Sequence, residues 1–138
     1  MDIKDFNFDL SLTPTDKSML AEIADMVGTP EGAFNIRKNG EGVVRTSSEN
    51  IEIKPKLDKP GIDIIIKPYT VAEKVHIPVI ITESGVQEVV YNDFFIGEGA
   101  NVEIVAGCGI HNCGDGESKH DGIHTFHIGK NASVKYVE

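Results

Sequence analysis

The spacing of apolar residues changes once along the chain, near Glu31. Before it, Met19, Ile23, Met26 and Val27 recur at steps of four, three and one, with Leu20 and Ala24 beside them. Such steps keep side chains on one face of a 3.6-residue helix. Thr13 is placed as its N-cap, Pro14 at the first helical position, where a missing N–H is no loss, and Asp16 near the positive end of the helix dipole. Gly28 and Pro30 end it. Residues 1–12 show no sustained period and read as a flexible lead-in. Residues 1–30 are thus a lead-in and one short amphipathic helix, which packs on the next segment of the chain.

From residue 31 onward the period is two. Ile51 and Ile53, then Ile62, Ile64 and Ile66, then Val75, Ile77, Val79 and Ile81 alternate with polar or flanking residues. Pro55, Pro60-Gly61 and Pro68 mark the bends between these runs. Pro78 lacks a ladder donor, which predicts an edge, a bulge or a corner there. His76, alone among Val75 and Ile77, reads as an exposed strand residue.

The strongest regularity is internal. Phe94-Phe95-Ile96-Gly97-Glu98-Gly99-Ala100-Asn101-Val102-Glu103-Ile104 returns 32 residues later as Phe126-His127-Ile128-Gly129-Lys130-Asn131-Ala132-Ser133-Val134-Lys135-Tyr136. In each copy the apolar positions fall on one parity, with a Gly-containing turn between two short strands. A repeat of this length suits units that bury their apolar side only against their neighbours, as the coils of a β-solenoid do. A hairpin pair in a barrel or sandwich gives the same frame.

Composition agrees with one mainly β domain. The chain has 138 residues, 40% of them hydrophobic and 25% charged, with fourteen Gly and no Trp. No apolar run exceeds three residues, so a membrane-spanning helix is not expected, and the acidic N-terminus lacks the features of a secretory signal. A cytoplasmic location follows as the expectation. Thirteen Lys and Arg against twenty-two Asp and Glu give a net charge of −9, which repels phosphate backbones and argues against nucleic acid as a partner.

Candidate chemistry is concentrated in one stretch. Both cysteines and four of the five histidines fall within residues 108–127. Cys108, His111, Cys113, Glu117, His120, His124 and His127 offer soft and borderline ligands for zinc or iron. Against a self-contained zinc site stands the spacing, because one C-x4-C is present with no second pair. Alternation from Val102 and Ile104 carries Cys108 to the core side, and alternation back from Phe126 and Ile128 carries His124 there too. Cys113, His111, Asp115 and Glu117 fall in a Gly-rich loop that reaches solvent. The plain alternative makes Cys108 a small buried apolar residue and the loop a solvated turn. Phosphate-loop, dinucleotide, serine-esterase and H-E-x-x-H patterns are absent from the sequence.

Several runs, taken in order, resemble one family. They are Pro30-Glu31-Gly32-Ala33-Phe34-Asn35-Ile36-Arg37, Lys59 to Pro68, Val89 to Ala100, Val105-Ala106-Gly107-Cys108-Gly109, His120-x-Gly122, and Ile128 to Tyr136. Over about residues 16–138 the chain is similar to the SufB/SufD family of iron-sulfur cluster assembly proteins, in particular its short SufB-like members. The resemblance implies a right-handed parallel β-helix over 31–138 that stops in the middle of the solenoid. It implies a scaffold working with a SufC-like ABC ATPase and a sulfur donor protein, as a homodimer or SufB/SufD-type dimer. An iron-sulfur cluster would be assembled on it transiently. Gly107-Cys108 matches the family's sulfur-handling cysteine and His120 a family histidine, whereas Cys113, His111, His124 and Glu117 rest on local chemistry alone. Two other functions remain open: a small metal-dependent β-barrel enzyme using the 108–127 cluster, and a β-solenoid interaction module without chemistry of its own.

Overall fold

A computed structural model of the chain describes residues 12–24, 32–111 and 116–138. The lead-in up to residue 11 and the helix stop at Gly28 and Pro30 lie outside the described residues. The fold is mainly β, with helix α1 (Pro14–Ala24) followed by β1 (Ala33–Lys38), β2 (Glu41–Thr46), β3 (Ile51–Pro55), β4 (Gly61–Ile66), β5 (Val71–Ile81), β6 (Gln87–Ile96), β7 (Asn101–Ile110), β8 (Lys119–Ile128) and β9 (Ser133–Val137). No described helix is long and apolar enough to cross a membrane.

From β4 onward the strands alternate between two sheets. One has the order β2-β1-β5-β7-β9 and the other β3-β4-β6-β8. Both are mixed: β1/β2 and β3/β4 pair antiparallel, and every later neighbour pairs parallel. The sheets do not close into a barrel, which corrects the β-barrel architecture of the enzyme alternative. Among the described residues each sheet instead has two edge strands, β2 and β9 in the first and β3 and β8 in the second.

The repeat seen in the sequence is physical register. Phe94 lies beside Phe126, Ile96 beside Ile128, Val102 beside Val134 and Ile104 beside Tyr136. One turn earlier, Ile64 and Ile66 stand beside Phe94 and Ile96, and Val75 beside Ile104. Identical parity in successive strands stacks like on like, so the space between the sheets fills with Ile51, Ile53, Ile62, Ile64, Ile66, Val75, Ile77, Phe94, Ile96, Val102 and Ile104, all buried.

Three turns carry the chain from the second sheet to the first: residues 67–70, 97–100 and 129–132, each four residues long. They stack directly. Tyr69 N–H donates to the Glu98 carbonyl at 2.8 Å, and Gly99 N–H donates to that of Lys130 at 2.9 Å. The third residue of each turn is left-handed, with φ of 62° at Tyr69, 68° at Gly99 and 60° at Asn131. Gly and Asn tolerate that conformation, whereas a tyrosine pays for it. Tyr69 is 68% exposed, so little packing compensates. Tyr69→Gly is therefore expected to stabilise the protein by roughly 1 kcal/mol, measured by urea denaturation. A loss of stability would show that the ring lying over Gly99 outweighs the strain.

Pro78 departs from the edge expected of it, since β5 is a central strand and Pro78 is buried within it. Its missing donor falls where the ladder to β1 is interrupted: Phe34 pairs with His76 and Arg37 with Val79 in one unbroken register, with no pairing between them. His76 is half-buried, not exposed.

Helix α1 packs across the outer face of β5 and β7. Leu12, Leu20 and Ala24 meet Phe34, Ile36, Val44 and Ile80 in a second apolar cluster, with Met19 and Ile23 half-buried at its border. Asp16 does more than face the helix dipole. Its N–H donates to the Thr13 hydroxyl at 3.1 Å, its carboxylate accepts from Thr13 N–H at 3.0 Å, and Lys38 Nζ reaches it at 2.7 Å. The reciprocal pair is a capping box, and the lysine neutralises a carboxylate that is fully buried.

Candidate functional site

Strand β7 extends the inner parity Val102, Ile104, Ala106 to Cys108. Coverage stops first, because β9 pairs with β7 only as far as Val105 beside Val137. Cys108 is therefore on the core side, as alternation predicts, yet exposed, unlike the small buried apolar residue of the plain alternative. On its other side β7 is held by the helix: a side chain on Gly107 would begin 2.6 Å from the Ile23 carbonyl oxygen. Partial burial raises the Cys108 thiol above the ordinary range, and the carboxylates of Glu88 and Glu138 push it the same way. The free chain holds it as the neutral thiol.

The opposite wall is β6 and β8. Inner parity on β6 runs Glu88, Val90, Asn92, Phe94 and Ile96, so two polar residues stand where the pattern calls for apolar ones. Glu88 accepts from Arg37 Nε at 2.9 Å, and its other oxygen lies 2.8 Å from His120 Nδ1. The three side chains are nearly or largely buried, at 8%, 18% and 10% exposure, and Arg37 also donates to the Gly40 carbonyl at 2.8 Å. This Arg37–Glu88–His120 chain ties the first sheet to the second across their inner faces.

His124 is half-buried four residues further along β8. Its Nδ1 lies 3.5 Å from Asn92 Nδ2, and its ring tilts against Phe94 and Tyr136, with centroids 5.8 and 5.6 Å away. The Tyr136 hydroxyl is buried without a hydrogen-bond partner among the described residues, and burial, aided by Glu138, pushes its pKa up to about 12. Burial lowers the His124 pKa below 6.5, with His120 adding to the effect and Glu138 opposing it. The fold thus holds His124 neutral where the unfolded chain already takes up a proton. Its contribution to stability is full above about pH 6.5 and is lost as pH falls from there towards the lowered folded value. His124→Gln is expected to remove a slope of at most about 1.4 kcal/mol per pH unit below pH 6.5, seen by comparing the two proteins in urea at pH 7, 6 and 5. Parallel curves would show that His124 titrates freely in the fold.

The remaining candidates do not join this group. His111 and Glu117 are exposed, and Cys113 lies outside the described residues. His127 is on the outer face of β8, stacked on Phe95 at 4.6 Å and bonded to Asp93 at 3.0 Å, whose carboxyl group Lys56 and His127 hold below the usual range. Among the described residues no three of His, Cys, Asp and Glu converge to hold a metal ion. Sequence reasoning did not single out Arg37, Glu88, Asn92 and Tyr136. The available signal was a polar side chain on core parity.

Comparisons with protein-family models, with curated proteins and with solved structures gave no match.

Proposed function

We propose that the chain is a scaffold component of SUF-type iron-sulfur cluster assembly, with Cys108 as the residue that receives sulfur. The observation that carries this reading is the place of Cys108. It stands on the inner face of β7, just past the last covered residue, between a helix-braced backbone and a wall bearing Glu88. A thiol there is reachable by a partner and backed by polar groups. The reading includes a right-handed parallel β-helix, and support for its parallel winding comes from strands that alternate between two sheets and find parallel partners about thirty residues away, Ile64 beside Phe94 and Phe94 beside Phe126.

In the transfer step the Cys108 thiolate attacks the outer sulfur of a persulfide on a sulfur donor protein. The donor's S–S bond breaks, the donor cysteine leaves as its thiolate, and Cys108 carries the persulfide. Glu88 and Glu138 oppose formation of the Cys108 thiolate in the free chain, so transfer waits on a donor that brings positive charge to this mouth. The reading includes a SufC-like ABC ATPase as partner, a dimeric state, a cytoplasmic location and an iron-sulfur cluster as the assembled cargo.

The experiment is anaerobic incubation of the chain with a cysteine desulfurase and L-cysteine, followed by intact mass measurement. The expected result is a gain of one sulfur atom per chain that dithiothreitol removes, kept in Cys113→Ser and absent from Cys108→Ser. Equal gain by Cys108→Ser would remove this residue from the function.

A further inference from the structure

Beyond Cys108, the inner face of the two-sheet core contains a second polar group, around β1 and β2. Asn35 stands directly beside Arg45 across the antiparallel pair, so both project to the same face. Arg45 Nε donates to Asn35 Oδ1 at 2.9 Å. Asn35 is buried at 6% exposure and Asn92, reaching in from β6, at 8%. Between them is a small cavity of about 20 Å³, walled by Asn35, Arg37 and Asn92 with Ile62, Ile77 and Val90.

The polar groups around this cavity are mostly donors. The Asn35 side-chain oxygen is taken by Arg45, which leaves its NH₂. The Asn92 oxygen accepts from Ile62 N–H at 3.2 Å and its NH₂ meets His124 Nδ1 at 3.5 Å, which leaves one of the two amide hydrogens. Arg37 has five N–H donors, of which Glu88 and the Gly40 carbonyl engage one each. The acceptor nearest in kind, Glu88, is already shared between Arg37 and His120.

Charge points the same way. Glu88 balances Arg37, but among the described residues Arg45 has no carboxylate partner, and the Arg37 charge acts against its own. Burial and that neighbour both lower the Arg45 pKa, as expected of a cation without its counter-charge. In a chain of net charge −9, this is a local excess of positive charge on a half-buried side chain bonded to a residue of the cavity wall.

We propose that the cavity between β1 and β6 binds one small monovalent anion, coordinated by Arg37, Asn35 and Asn92 and balanced by Arg45. The size selects the class: the space admits one non-hydrogen atom, so a halide-sized ion enters where phosphate, sulfate or a carboxylate does not. A water molecule of the same size would have to find acceptors for its own two protons among these donors. The site is independent of the sulfur-transfer reading.

The test uses bromide as the probe, against gluconate at equal ionic strength. The melting temperature is expected to rise saturably with bromide, and a bromide-soaked crystal to show an anomalous peak between Arg37 and Asn92. Asn35→Asp places a carboxylate beside Arg45 with almost no change in shape. It is expected to fold, to melt in gluconate at or above the wild-type temperature, and to bind bromide at least about tenfold more weakly. Should Asn35→Asp not fold, Arg45→Gln, which removes the unbalanced cation, must weaken bromide binding to a similar degree. A cavity peak without anomalous signal, or an equal bromide response in wild type and variant, would identify an ordinary buried water and overturn the proposal.

Discussion

Phe94→Ala is expected to destabilise the protein by about 3–5 kcal/mol, the range for emptying a fully buried phenylalanine site. Phe94 is 0% exposed and sits at the middle of the inter-sheet core, beside Ile64 on one side and Phe126 on the other. Its ring stacks on that of Phe126 with centroids 4.7 Å apart and planes 9° from parallel. Truncation forfeits this pair, the contact with His124 and the apolar area together, and parallel strands on both sides prevent the backbone from closing the void. Phe126→Ala supplies the comparison. It removes the same partner from the other side, but Phe126 is 36% exposed on the edge strand, so about 1–2 kcal/mol is expected. Urea denaturation of both variants checks the ratio. Equal losses would mean that the β8 edge is covered in solution.

Gly61→Ala is expected to cost a similar amount for a different reason. Gly61 has φ 133°, a region that L-residues rarely adopt, and an added methyl would begin 1.7 Å from the Tyr91 carbonyl oxygen and 2.6 Å from its carbon. Those atoms belong to the neighbouring strand, which cannot rotate away as a side chain can. Backbone strain of about 1–2 kcal/mol and displacement of β6 at about 1–3 kcal/mol together give roughly 2–5 kcal/mol. Gly85→Ala separates the two contributions: φ is 77° there, and no atom lies within 4 Å of the added carbon, so only the strain remains. Hydrogen exchange should show Gly61→Ala loosening the amides that pair β4 with β6. If Gly85→Ala proves as costly as Gly61→Ala, the close approach to Tyr91 is not what constrains the site.

How far the sequence reveals this molecule depends on what each residue reports. Parity is a local property, so the sequence by itself matches Phe94, Ile96, Val102 and Ile104 to Phe126, Ile128, Val134 and Tyr136, and register pairs the same residues. The preceding strand–turn–strand stretch, Ile64 to Val75, was not legible as a third copy. Its turn reads Lys67-Pro68-Tyr69-Thr70 in place of a glycine pattern, and a bulge at Ala72 (φ 59°) shifts the register by one residue. In the helix, the buried line runs Asp16, Leu20, Ala24, while the expected Met19 and Ile23 lie at its margin, because a lysine 22 residues away makes a buried carboxylate tolerable.

The candidate site divides in the same way. The core-side parity of Cys108 and His124 was readable from neighbours two residues away. The exposure of Cys108 was not, since it depends on where β9 stops, and neither was the Glu88–His120 contact, which needs two strands placed side by side. His127 illustrates the reverse error: proximity in sequence made it a companion of His124, while strand alternation puts the two on opposite faces.

The stacked four-residue turns also bear on how such a chain can change over generations. They form a spine along which each strand–turn–strand unit is keyed to the next by main-chain hydrogen bonds, and a residue gained or lost there would put every later side chain on the wrong face. On the opposite side, residues 82–86 connect β5 to β6 and the longer segment 111–118 connects β7 to β8, while the flanking strands still align. Length variation is thus absorbed on one flank only. New peptide can be grafted, by mutation or by a designer, on the flank that bears Cys108's strand end without rewriting the register of the core.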